Sequence, residues 1–260
     1  MILRRVIEHV RKQEWTAIWI DLVIVVVGVF IGIQVSNWNE DRVTTRRAEI
    51  FTERLRSDLR EEAWGYEVQV AYYGDVAAHG QRALDALAGR EPMSDEALLI
   101  TAYRATQYNR NIRRRTTYDE LMSRGEIGLV TDPALRELAQ RVYSAPMFDE
   151  IVEEGRNSQY RQWFRSNMPH DVQQVVAATC GDRGGDVGDY VGIGDIIDYP
   201  CTTGLPVETI KAAVAILRDD SNAVRVLRLR VADVTTGVSD LTVNFAVIRA
   251  GLRAIAGRAP

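Results

Sequence analysis

From Thr16 to Trp38 the chain reads Thr-Ala-Ile-Trp-Ile-Asp-Leu-Val-Ile-Val-Val-Val-Gly-Val-Phe-Ile-Gly-Ile-Gln-Val-Ser-Asn-Trp. Only Asp21, Gln34 and the polar end residues interrupt this apolar run. A bilayer core about 30 Å thick needs roughly 20 helical residues at about 1.5 Å of rise each. Trp15, Trp19 and Trp38 stand at its two ends, where an amphipathic ring favours the headgroup level. The run therefore predicts a transmembrane helix over 15–38.

A cleaved signal peptide fits less well. The leader is long, the apolar core exceeds a usual h-region, and no A-x-A-like site follows. An uncleaved signal-anchor is the expectation. Within residues 1–14, Leu3, Val6, Ile7 and Val10 fall at helical spacing, with Arg4, Arg5, Arg11 and Lys12 on other faces. This pattern suits a cytoplasmic amphipathic leader in the headgroup region, or simply the first turns of the span. So short a segment does not fold as a domain. Those four cations before the span outnumber Arg42, Arg46 and Arg47 after it, a slight lean towards a cytoplasmic N-terminus. The two cysteines, Cys180 and Cys201, strengthen it. They bracket a Gly/Asp-rich loop, and structural disulfides persist in the periplasm rather than the cytosol. Such a bridge, closing about 20 residues, is worth ~3 kcal/mol. The expected location is a bacterial inner membrane, crossed once, with a periplasmic C-terminal domain.

The chain has 260 residues, so about 220 remain for that domain, enough for one or two cores. A charged fraction of 26% excludes a multi-span protein after Trp38, and the net charge of −4 makes no case for nucleic acid. Lys12 and Lys211 are the only lysines, which points to an arginine bias before it points to function.

Periodicity and capping predict helices throughout. A long one leaves the membrane and reaches His79, with a second segment over 81–87. Ser94 caps a helix through Tyr108; Thr117 to Glu120 has the form of a capping box; Asp132-Pro133 opens a helix to Tyr143. Residues 148–168 read as one helix burying Phe148, Ile151, Val152, Tyr160, Trp163 and Phe164. Further helices cover 171–178, 206–217 and 223–234, although the Val/Leu–Arg alternation of 224–234 also suits a strand. The segment 239–256 is apolar but short for a span and reads as a buried core helix. The expected fold is all-α: a helical stalk and bundle over 39–179, the loop 180–201, and C-terminal helices of the same bundle over 202–260.

Two stretches carry a family resemblance. The first is Val26-Val27-Gly28-Val29-Phe30-Ile31-Gly32-Ile33-Gln34-Val35-Ser36-Asn37-Trp38-Asn39-Glu40. The second is Tyr118-x-Glu120-Leu121-x-x-x-Gly125-x-Ile127-x-Leu129-Val130-x-Asp132-x-x-Leu135-Arg136. Both resemble a widespread family of bacterial single-span membrane proteins of unknown function. The likeness covers about a fifth of the chain. It implies a membrane anchor followed by a helical domain, and brings no activity, cofactor or catalytic residue.

Several constellations bear on function. Gly28 and Gly32 form a small-x-x-x-small pair that lets two spans approach, the expected route to a homo-oligomer. Asp21 is a carboxylate inside a span, which costs about 2.5–3.5 kcal/mol on insertion scales at the helix centre and less near the end. A short leader, an early aspartate and a Val/Ile-rich helix look like the small proton-coupled subunits of biopolymer-transport motors, which work with a multi-span membrane partner. The plainer reading keeps Asp21 at the headgroups, hydrated or paired with Lys12 or Arg11. Residues 181–195 hold four aspartates among six glycines but lack EF-hand spacing, so a mobile, disulfide-held loop is favoured over a metal site. Arg110, Arg113, Arg114 and Arg115 are candidates for anionic-surface contact. Internal pairing with acids such as Glu120 and Glu126 is the commoner fate of such a run. His9, His79 and His170 are far apart, and no zinc, serine-hydrolase, Walker or dinucleotide motif occurs. The sequence thus supports a non-enzymatic membrane protein displaying a helical domain for protein–protein contact. Its alternatives are an ion-coupled subunit using Asp21, or a ligand-sensing domain with a separate transducer. No cofactor is expected.

Overall fold

The computed structural model describes residues 15–110 and 113–257. The amphipathic leader expected at 1–14 lies outside them. The fold is all-α, with no strand among the described residues. The chain divides into two units: Met1–Glu53 with Gly128–Thr131, and Arg54–Ile127 with Asp132–Pro260.

The first unit is mainly the N-terminal part of α1 (Trp15–Leu87), a helix of 73 residues. Its apolar side chains are exposed all round: Val26 is 58% and Phe30 60% exposed. It alone among the described helices is by itself long and apolar enough to cross a membrane. At the polar end of the run the Arg42 guanidinium sits 5.7 Å from the centroid of Trp38.

In the second unit, α1 changes character. Leu55, Leu59, Ala63, Tyr66, Tyr73, Val76 and Ala83 are buried at intervals of three, four or seven, the signature of one helix face against a core. Around it follow α2 (Asp95–Arg104), α3 (Thr116–Ser123), α4 (Pro133–Ser144), α5 (Met147–Asn157), α6 (Gln159–Asn167), α7 (His170–Cys180), α8 (Val207–Asp219), α9 (Ser221–Ser239) and α10 (Ala246–Ile255). The main core joins Leu98 and Leu99 of α2, Phe164 of α6, Val176 of α7, Val214 of α8 and Leu227 of α9.

The structure corrects several expected boundaries. There is no break between His79 and Gln81. Gly80 is a crossing point: a Cβ there would lie 2.5 Å from Val231 Cγ2, so the missing side chain lets α9 approach. Helix α2 is capped by Ser94, whose Oγ accepts from Ala97 N, but it ends at Arg104 rather than Tyr108. The departing carbonyls of Ala105 and Gln107 are taken by Arg230, and that of Thr106 by Arg161. The Thr117–Glu120 box is not formed. Instead the amide of Thr117 donates to Asp58 on α1, 3.3 Å away, and Arg115 precedes α3 without a side-chain cap. Asp132 caps α4 as expected.

The 148–168 helix is two, split at Ser158, whose ψ of 140° breaks the helix and whose Oγ caps α6. Residues 224–234 are helical, not strand: Val226, Leu227, Arg230 and Val234 are buried at a helical period. The 239–256 segment is also divided. A π-turn at Asp240–Asn244 sets α10 at 65° to the preceding helix. Tyr66 OH donates to Leu241 O across this turn, at 2.5 Å. Only one face of α10 is buried, through Ile248 and Leu252, while Val247 is exposed. Glu67 holds that helix to α1 by accepting from Arg249 and Arg253. Burial opposes ionisation of Glu67, but the two guanidinium groups overcome it and bring its pKa down to about 2.

Candidate functional site

The arginine run and the cystine loop, separate in sequence, meet at one groove. Its volume is about 270 Å3. One wall is α1, with Trp64, Val68 and Tyr72; the others are Arg110 and Arg114, and the loop residues Arg183, Gly185 and Ile196.

Three of the four candidate arginines are already engaged. Arg113 Nε donates to Glu62 Oε2 at 2.8 Å and its Nη2 to Val142 O at 2.9 Å, while the guanidinium lies 4.3 Å from the Phe148 centroid. Arg114 pairs with Glu61 at 2.7 Å, and its amide donates to Glu62. Arg115 pairs with Asp119. The partners are thus Glu61, Glu62 and Asp119. Glu120 serves Arg54 and Arg124 instead. Arg110 is exposed on the groove. The internal pairing is real: Arg115 finds Asp119 four residues on, but Glu61 and Glu62 lie some fifty residues upstream on α1, where spacing along the chain cannot find them.

Cys180 and Cys201 stand at disulfide distance, with Cα atoms 5.5 Å apart. The end of the loop between them is packed, with Ile193, Ile196, Ile197 and Tyr199 buried, whereas 182–189 is exposed. Arg104 organises it. Its Nη2 donates to Tyr199 O at 2.7 Å and its Nε to Cys180 O at 3.4 Å. Trp64 Nε1 donates to Asp189 O at 2.9 Å, and Tyr72 OH donates to Asp182 Oδ2 at 2.7 Å. The Asp189 carboxylate accepts from the amides of Val191 and Gly192. Asp182 and Asp189 therefore serve the loop's own geometry. No three metal-ligating side chains converge among the described residues.

Behind the loop lies a charge network, buried at His79 and Arg104 and open at Asp198 and Arg82, that the sequence did not reveal. His79, 2% exposed, is 3.4 Å from Asp198, and Arg82 and Arg104 reach the same carboxylate at 3.8 and 3.7 Å. Burial, then the two guanidinium charges, push the His79 pKa down to about 4, against Asp198. Burial and Asp198 push Asp75 up to about 6, against Arg82 and Arg104. Only the i, i+4 spacing of Asp75 and His79 and the i, i+3 spacing of His79 and Arg82 on α1 hinted at it.

The remaining candidates lie in the exposed apolar run of α1. A Cβ built at Gly28 or Gly32 meets nothing within 4 Å. Asp21 is exposed, with no hydrogen bond or ion pair to any described residue. Comparison with protein-family models, with curated proteins and with solved structures finds no match for this chain.

Proposed function

We propose that the protein is a single-span membrane protein whose helical domain works outside the cytosol through protein–protein contact, without catalysis. The observation that carries this reading is the apolar run of α1, exposed on every side, whereas the large apolar side chains exposed elsewhere, such as Val191 and Val247, are scattered singly. In water such a surface has no stable cover; a bilayer supplies one. The cystine pair favours an oxidising compartment, hence a cytoplasmic N-terminus and a periplasmic domain. The groove favours a protein partner, since Trp and Arg are the side chains most often dominant at interfaces, and Trp64 and Arg110 stand together there. Open space at Gly28 and Gly32 favours self-association through the span.

The test uses intact spheroplasts and native-membrane crosslinking. A tag near Pro260 is digested by external protease, the chain resists carbonate extraction, and Trp64→Ala with Arg110→Ala lowers recovery of the crosslinked partner. A protected tag or a carbonate-soluble chain sinks the topology; partner recovery indifferent to both substitutions sinks the groove. The second reading, an ion-coupled subunit, rests on Asp21 being unpartnered among the described residues. It requires Asp21→Asn to abolish function while abundance and self-association stay normal.

A further inference from the structure

Helix α6 carries Arg161 and Arg165 one turn apart, and both line a second cavity of about 280 Å3. His170, the first residue of α7, closes the other side with Gln174, while Tyr103 and Phe164, with centroids 6.2 Å apart, supply the apolar part. No aspartate or glutamate lines this cavity. Asp182 acts on Arg161 electrostatically, but it makes no ion pair with it and is not part of the wall.

The domain itself shows what such a pair is for. Arg249 and Arg253 have the same i, i+4 spacing and hold one carboxylate, Glu67, between them. Like charges at that spacing repel unless an anion stands between them. Arg161 and Arg165 have no carboxylate partner among the described residues. Arg161 is nonetheless fixed in place: its Nη1 donates to Thr106 O at 3.0 Å and its guanidinium lies 4.8 Å from the Tyr108 centroid. Beside them, α7 is preceded by Pro169, which supplies no side-chain cap. Its first amides are donors that no side chain uses, and Asp171 in that turn lies outside the cavity wall.

We propose that this cavity binds a phosphate group, gripped between Arg161 and Arg165 as Glu67 is gripped between Arg249 and Arg253. A dianion neutralises both guanidinium groups where a single carboxylate leaves one unbalanced, and the arginine fork matches phosphate oxygens. The cavity leaves room for a short substituent, so a free phosphomonoester and a lipid phosphate headgroup present the same chemistry to it.

The full chain in maltoside micelles is titrated calorimetrically with inorganic phosphate, and separately with dihexanoyl phosphatidate against dihexanoyl phosphatidylcholine. Arg165→Gln is the deciding variant, because Arg165 is exposed and its loss leaves packing intact; Arg161→Gln is the companion, with circular dichroism checking its fold. Saturable binding of phosphate, phosphatidate or both, weakened at least tenfold by Arg165→Gln, bears the proposal out. Phosphate alone identifies a free solute, and phosphatidate alone a headgroup. Absence of binding to both probes, binding that Arg165→Gln leaves unchanged, or equal binding of the phosphatidylcholine control overturns it.

Discussion

Residues 18–35 and 54–84 belong to the same helix, yet place their side chains by different rules. In the first stretch valine, isoleucine and phenylalanine face outward on every side. In the second, charged and apolar residues alternate at the helical period, and one face is buried. Hydrophobicity alone therefore marks the wrong half as core. Periodicity separates a helix that is apolar on every side from one packed on protein along a single face. The charges differ in the same sense: Asp21 is exposed within the apolar run, whereas Glu62 is buried and matched by Arg113.

That contrast breaks most sharply at Glu62. Arg113→Ala leaves the buried Glu62 carboxylate without its guanidinium partner, with only the Arg114 amide still donating to it, and should cost about 3–5 kcal/mol in urea unfolding of the detergent-solubilised chain. Arg110→Ala, on the exposed side of the same run, should stay within about 0.5 kcal/mol. A loss below about 1 kcal/mol for Arg113→Ala would mean that Glu62 is reached by water. Next, Leu59→Ala in the packed half should cost about 2–5 kcal/mol, while Val26→Ala in the apolar half leaves domain unfolding unchanged within about 0.5 kcal/mol. Equal losses would erase the distinction between the halves.

The smallest effects are pH-dependent. Glu67, lowered from 4.5 to about 2, contributes stability above about pH 4.5 that is lost as pH falls towards 2. His79, lowered from 6.5 to about 4, must stay neutral in the fold, so its stability is complete above 6.5 and lost as pH falls towards 4. Asp75, raised from 3.8 to about 6, acts in reverse: its contribution is complete below 3.8 and lost as pH rises past 6. Asp75→Asn should therefore raise stability at pH 7.5 by roughly 1 kcal/mol, a figure discounted for solvent screening, and change nothing at pH 3. Stabilisation of equal size at both pH values would assign the effect to packing instead.

What the sequence made legible was local. The apolar run, the Ser94 and Asp132 caps and the pairing of Cys180 with Cys201 depend on residues near one another or on residue type alone. What stayed hidden was set by contacts at long range. Asp58 replaces the local box at α3 from 59 residues away, and Arg230 ends α2 from more than a hundred. The division expected after His79 ignored what Gly80 meets, because Val231 lies 151 positions further along the chain. The groove was half legible: its arginines were seen, but not the α1 acids that engage them. The cavity at Arg161 and Arg165 gave no motif, because two arginines one turn apart signify nothing until the absence of an acid beside them is known.

Arg230 shows why a domain with a single described lysine, Lys211, leans on guanidinium groups. One planar head donates to Ala105 O, Gln107 O and both oxygens of Glu154, so it spans three directions at once. An ammonium is a single point at the end of a flexible stem and cannot reach all three. Exchanging arginine for lysine here would preserve the charge and still unstitch the corner where three helices turn past each other.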